Sequence, residues 1–264
     1  MPIGSGASHG VTYIKEVTYG VTPATPALKT LRNTGVTLGL KRDSIQSEEL
    51  RSDRQLVGFR LGNKQVNGSI DIELAYADFD DMLEAALCGT WASSVLKAGS
   101  TRRSFTIERN FVDLSTRIRY TGCEVNELSI TVAPNSPVKA SLTFIGKDQD
   151  ASNAMIAGST YPAPQNTQVF DSFSGTIKEG GTAYASCTQI ELSIKNGIEP
   201  NFVIGSSTTA SNSIGQSLVT GTVTAFFENV TMLNKFINET DSSLEFELID
   251  LAGNKLKFFL PKIK

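Results

Sequence analysis

Four sets of residues in this 264-residue sequence carry groups able to do chemistry: one histidine, three cysteines, two adjacent aspartates and two adjacent glycines. His9 would have to be the base of any Ser-His-Asp or Cys-His arrangement. It stands in the Gly/Ser-rich stretch MPIGSGASHG, where no rigid element would hold it against a nucleophile. Cys88, Cys123 and Cys187 are odd in number, far apart and without CxxC spacing. They point away from a disulfide framework or a zinc site and toward buried thiols in a reducing cytosol. Asp80 and Asp81 have the composition of a carboxylate dyad, but neighbours on a helix point in different directions, and a helix-terminus role accounts for them. Gly180-Gly181 in KEGGTA reads as a hairpin turn, and no GxxxxGK[ST] phosphate loop occurs. The expectation is a protein without catalytic residues, cofactor or metal.

Charge narrows the partners. Twenty-seven acidic and twenty-four basic residues give a formal net charge of −3, with no basic block of the kind that neutralises phosphates. Tight, sequence-reading nucleic-acid binding is disfavoured. The N-terminus has neither a charged n-region nor an apolar h-region, and no apolar run approaches the ~18 residues of a membrane helix. Neither a membrane span nor export by the usual route is expected.

The elements that must position these residues are mostly strands. Apolar and polar residues alternate in VTLGLKRD (36–43), GSIDIELAY (68–76), SFTIERNF (104–111), TRIRYTG (116–122), NELSITV (126–132) and KASLTFIG (139–146). After residue 186 the pattern resumes in IELSIKNG, LVTGTVTAFF, LEFELID and NKLKFFLPKI. Two short helices interrupt it. In the first, Asp78 is the expected N-cap, Asp80 and Asp81 occupy the first turn, and Gly89 follows the end. Phe79, Met82, Leu83 and Ala86 then share one face. The second, from Asn229, carries Val230, Leu233, Phe236 and Ile237 in the same way, and both stripes read as core packing.

CEVNELSI at 123–130 returns as CTQIELSI at 187–194, matching at five of eight positions. That offset recurs nowhere else. A different correspondence persists: VTLGLKRD at 36 with IELSIKNG at 190, GSIDIEL at 68 with GTVTAFF at 221, a helix after each, then VDLSTRIRY at 112 with IDLAGNKLKF at 249. The chain therefore reads as mainly β, with two tandem, duplicated β-sandwich or barrel domains, each with a short flanking helix. The first spans 1–150, with an N-terminal arm over 1–33 and a long loop over 44–64. A polar linker covers 151–172, and the second domain covers 173–264 with a long loop over 197–217. In the first loop Glu48, Glu49 and Asp53 alternate with Arg51, Arg54 and Arg60, and Leu56, Val57 and Phe59 add apolar side chains. Such a segment reads as an arm that docks on a partner of complementary charge.

EVTYGVTPATPALKTLRNTG, SEELRSDRQ, NGSIDIELAYADFDDMLEAAL, YTGCEVNELSITVAPNSPVKASLTFIGKD and SLEFELIDLAGNKLKFFLPKIK, in this order over nearly the whole chain, resemble the major tail tube proteins of long, non-contractile-tailed (siphovirus-type) bacteriophages. The resemblance implies a structural virion protein made in the host bacterial cytoplasm, not an enzyme. Its tail-tube-type domains would form stacked rings, the hollow tail through which double-stranded DNA passes, without sequence preference, into the host. Two domains per chain imply a homotrimeric, pseudo-six-fold ring, with a homohexamer as the alternative, in contact with other phage tail proteins and no membrane. Two other readings fit the pattern: a tail terminator or distal tail protein, or a surface-displayed adhesion or fimbrial module. On strand parity Ile70, Ile72 and Leu74 face the core. Asp71, Glu73, Glu127, Ser129, Glu191 and Ser193 then face the lumen, where carboxylates and hydroxyls repel a DNA backbone. Glu48, Glu49, Arg51, Asp53, Arg54, Leu56, Phe59 and Arg60 are expected to contact the adjacent ring.

Overall fold

The computed structural model describes residues 9–53, 55, 58–173, 175–227 and 230–263, and of Met232 and Phe236 the backbone alone. Every alternating segment named above forms strand. The first half runs β1 (His9–Lys15), β2 (Lys29–Thr30), β3 (Gly35–Val36), β4 (Gly39–Gln46), β5 (Phe59–Glu73), α1 (Asp80–Ala86), β6 (Phe105–Phe111), β7 (Thr116–Val132), β8 (Lys139–Gly146) and β9 (Asp148–Ser152). The second runs β10 (Thr176–Glu179), β11 (Thr182–Ala183), β12 (Cys187–Lys195), β13 (Glu199–Asn201), β14 (Ser211–Ser213), β15 (Leu218–Ala225), α2 (Thr231–Ile237), β16 (Ser242–Ile249) and β17 (Lys255–Ile263).

One strand joins two sheets. TRIRYTG and NELSITV, read as separate strands, are the two ends of β7, which is 17 residues long. Its first part pairs with β6 and β9, and its second with β8 and β12. Between them Gly122 takes φ +66°, and the register shifts once against β6 and once against β8. Such irregularities bend a strand without ending it, so the glycine that closes the TRIRYTG segment acts as a corner. An outer sheet β2-β1-β6-β7-β9 and an inner sheet β4-β5-β8-β7-β12-β15 thus share β7, with β3 beside β5. Val11, Tyr13, Phe105 and Ile107 from the outer sheet and Ile70, Ile72, Leu128 and Phe144 from the inner one enclose a single core with α1, none more than 2% exposed.

The second half adds a sheet ordered β11-β10-β16-β17, the same sequence of strand types as β2-β1-β6-β7. Gly180 and Gly181 make the β10–β11 turn with φ +57° and +80°, the doubly left-handed turn that favours Gly-Gly. Strand β12 does not stay with its own half. It pairs with β7 over Ile190–Lys195, so Leu192 lies opposite Ile130. At its end Asn196, 3% exposed, donates from Nδ2 to the Ala86 and Val125 carbonyls, each at 3.0 Å, and so caps the last turn of α1. Asn196→Ala orphans both carbonyls and is expected to cost about 2 kcal/mol, read from the denaturant midpoint; no change would mean water replaces the amide.

Several expectations need correction. The N-cap of α1 is Phe79, without a side-chain cap bond; Asp78 instead accepts from Arg32 (2.8 Å) and Thr167 (3.1 Å), which remove it from the helix end. The loop 44–64 is strand at both ends, because β4 and β5 stay paired out to Gln46 and Phe59, with a further Ser47–Gly58 hydrogen bond, and the loop proper is shortened to 47–58. The 197–217 loop closes on the short β13–β14 pair. Within the expected N-terminal arm, residues 9–15 form a strand between β2 and β6 with Val11 0% exposed. The linker is stitched to the first half, by β9 on β7 and by Phe170, 0% exposed, whose N–H donates to the Leu74 carbonyl.

The stripe of α2 is the largest departure. Phe79, Met82, Leu83 and Ala86 of the α1 stripe are buried, but Val230, Leu233 and Ile237 are 56%, 50% and 64% exposed. Amphipathic spacing says that a face wants cover; here nothing among the described residues supplies it. Asn229, the expected start of this helix, and the Phe236 side chain lie outside the described residues.

Candidate functional site

The inner sheet has one apolar and one polar side, and parity along each strand decides which residue goes where. Register then aligns the polar side across strands. Asp71, Ser141, Ser129, Ser193 and Thr220 form one row through β5, β8, β7, β12 and β15. Glu73, Lys139, Thr131, Glu191 and Thr222 form the next row, and Ser69, Thr143, Glu127, Lys195 and Leu218 the row on the other side. All six residues expected to line a channel, Asp71, Glu73, Glu127, Ser129, Glu191 and Ser193, therefore share one face.

The face is less acidic than the sequence suggested. Four carboxylates (Asp71, Glu73, Glu127 and Glu191) stand against two ammonium groups (Lys139 and Lys195), a formal charge of 4 − 2 = 2 negative charges. Both lysines occupy polar-side positions of segments quoted above, and carrying the alternation to the strand ends would have found them. Ser141 donates to Asp71 at 2.6 Å, Ser193 to Glu127 at 2.8 Å, and Lys195 lies 3.4 Å from the same Glu127 carboxylate. Asp71 and Glu127 are thus each held by a serine hydroxyl. A shallow groove of about 410 Å³ runs between Thr34, Asp71, Glu73, Thr131 and Lys139. Its lining of hydroxyls, two carboxylates and one ammonium is hydrophilic, but contains no acid–base pair aimed at a common point.

The arm is the second feature. Strands β4 and β5 carry the tip away from the core, leaving Ile45, Leu50, Phe59 and Leu61 59%, 99%, 64% and 55% exposed. Glu48 and Glu49 are exposed, Arg51 lies 3.2 Å from Asp53 within the tip, and Phe59 and Arg60 belong to β5. Arg54, Leu56 and Val57 lie outside the described residues. At the arm's root the Lys64 N–H donates to the Ser207 carbonyl at 2.8 Å, placing the second excursion alongside the first. That excursion also carries bare apolar groups, Val203 and Ile204. It is clamped to β7 by Glu124, 5% exposed, which accepts from Arg102 and from Asn212 at 2.7 Å.

The residues first considered for chemistry are occupied structurally. Burial raises the Asp80 carboxyl, helped by the charges of Asp81 and Glu84. Burial also acts upward on Asp81, but hydrogen bonds from Lys15 and Lys29 hold it below its ordinary value. A split pair is what an acid–base couple also shows; here Asp81 is committed to Lys15 (2.7 Å), Lys29 (2.6 Å) and the Tyr13 hydroxyl (3.1 Å). Cys88 and Cys123 are buried, Cys187 is half-buried, and burial pushes the Cys123 thiol well up, away from thiolate chemistry. Among the described residues no group of three His, Cys, Asp or Glu is placed to hold a metal, and no helix is long and apolar enough to cross a membrane.

The two halves share one more detail. Lys15, the last residue of β1, pairs with Glu84, the fifth residue of α1, at 3.1 Å. Glu179, the last residue of β10, pairs with Lys235, the fifth residue of α2, at 2.7 Å. The position is the same and the charges are inverted.

Compared with known families, residues 6–263 match the model described as phage tail tube protein. No curated protein matches the chain.

Proposed function

The chain belongs to the phage tail tube protein family, and from that premise we propose that it is the major tube subunit of a long, non-contractile tail, forming stacked rings whose bore is the polar face of the inner sheet. A member of this family is a structural part of a virion tail, assembled with itself and with other tail proteins. The observation that carries the finer reading is the polar face: five strands from both halves present hydroxyls and a small excess of carboxylates in aligned rows, with Leu218 at the end of one row as the apolar exception. Such a wall stays hydrated and gives the DNA backbone no cluster of cations to bind.

Over β5, β8, β7 and β12 the other side of the same sheet seals the core, and both ends of the sheet, β4 and β15, have a second edge that pairs with nothing among the described residues. Two open edges at opposite ends of one sheet suit a head-to-tail contact that closes on rotation. The repeated sheet order and the repeated strand-to-helix ion pair support two equivalent domains per chain, joined by the 151–172 segment. On that basis three chains make a pseudo-six-fold ring. Electron micrographs of the purified protein test this directly: hollow filaments with three chains per ring are expected, and a protein that stays monomeric at every concentration sinks the proposal.

Stacking falls to the arm and the second excursion, whose apolar tips are bare among the described residues. Replacing Glu48–Val57 by a short turn is expected to leave folding and ring size unchanged while shortening filaments at least tenfold in micrographs. Full-length tubes from this variant would move stacking elsewhere.

A further inference from the structure

Apolar side chains that are sealed in the first half are bare at the matching places in the second. Val66, Ile70 and Leu74 of the β5 segment are 0%, 0% and 1% exposed, whereas Val219, Val223 and Phe227, placed alike on β15 and just beyond it, are 46%, 37% and 79% exposed. Met82 and Ala86 on α1 are 0% exposed; Leu233 and Ile237, at the same helix positions of α2, are 50% and 64% exposed. What seals the first set is a hairpin. Strand β8 pairs antiparallel with β5 from Val66 to Glu73, the far part of β7 lies beyond it, and Leu128, Ile130, Leu142 and Phe144 point inward into the core shared with α1.

On the corresponding edge β15 has no partner among the described residues, since it pairs with β12 alone. From Leu218 to Phe227 the sequence contains no charge and no proline, the devices that normally protect an open edge. We infer that the open edge of β15 and the apolar stripe of α2 form a docking groove for an amphipathic β-hairpin of the Cys123–Gly146 kind. One strand of the hairpin pairs antiparallel along Leu218–Ala225, and its apolar side covers Leu233 and Ile237. This rests on the reading of two equivalent halves. The groove is the free edge of the sheet that runs from β7 through β12 to β15, so the hairpin's outer strand faces the next copy's β4 as β7 faces β12. A bare β4 edge fits the groove less well: its side chains on the core side are Leu40 and Arg42, which would set a guanidinium on the stripe.

The test uses the full chain and a labelled peptide of residues 123–146 carrying Cys123→Ser. Saturable binding is expected, with amide exchange over 218–225 slowed at least tenfold. Val223→Asp and Leu233→Asp, both at exposed positions, should abolish these effects while leaving circular dichroism and melting unchanged. Because a free hairpin can self-associate, the same segment is also tethered after Lys264 through a Gly/Ser linker, where the same protection is expected. No protection in either format overturns the inference. Tubes that form without peptide, with β15 amides already protected and peptide excluded, show that a second copy's edge fills the groove; this sinks the hairpin and spares the ring. Peptide binding by a chain that never assembles does the reverse.

Discussion

Glu108→Ala is expected to destabilise the fold by about 3–5 kcal/mol, the cost of breaking a buried ion pair from one side. Glu108 is fully buried on β6. Its carboxylate accepts from Arg119 Nε at 2.6 Å and from the Tyr161 hydroxyl at 2.8 Å, with Arg117 Nε 3.4 Å away. The two guanidinium side chains are only 15% and 12% exposed, so removing the carboxylate strands two cations with little water to replace it. The melting temperature should fall by about 10 °C. Tyr161 comes from the segment between the halves, so the same variant should release that segment and speed its amide exchange. A loss below about 1 kcal/mol would mean that water reaches both arginines, contrary to the burial seen.

The second large effect concerns the polar face. The triple variant Asp71→Lys, Glu127→Lys and Glu191→Lys changes the formal charge of the three rows from −2 to +4 per chain, since each substitution adds two positive charges. The three positions lie on the polar side and contribute nothing to the apolar core, so tubes should still form. Stacked rings would then present a cationic wall, and DNA entering it would displace counterions. Tubes of the triple variant are expected to retain linear duplex at least about 100-fold more tightly than the parent at ~50 mM salt, with most of the difference gone by ~200 mM. Filter retention against salt concentration measures both. Equal retention by parent and variant at low salt would place this face on the outside of the tube, and the channel assignment would have to move to another surface.

The sequence discloses what depends on period. Alternation in GSIDIELAY, NELSITV and IELSIKNG decided which side of each strand is apolar, and with it the shared face of Asp71, Glu73, Glu127, Ser129, Glu191 and Ser193. It did not disclose what depends on distant partners. TRIRYTG ends at Gly122 as a separate strand on the alternation alone; that β7 continues through this glycine is decided by β8 and β12, which arrive about 20 to 70 residues later. Asp78 has the right chemistry for a cap and loses the role because Arg32 and Thr167 reach it first. The α2 stripe has the period of a buried helix, but period carries no information about whether the covering surface lies in the same chain. Glu124 and Glu108 were invisible for a similar reason: a carboxylate in an alternating strand looks solvated until the arginine that buries it is known.

On the proposed reading of two equivalent domains per chain, the inverted ion pairs bear on how such a polypeptide avoids confusing its modules while it emerges and collapses. Were β1 to settle on α2, Lys15 would meet Lys235; were β10 to settle on α1, Glu179 would meet Glu84 and the neighbouring Asp81. Repulsion at a half-buried contact disfavours each crossed docking, while each correct one is attractive. Sibling modules in tandem are prone to trade elements during folding. A single exchanged pair of signs labels which strand goes with which helix, and tells kin apart without altering the shape they share.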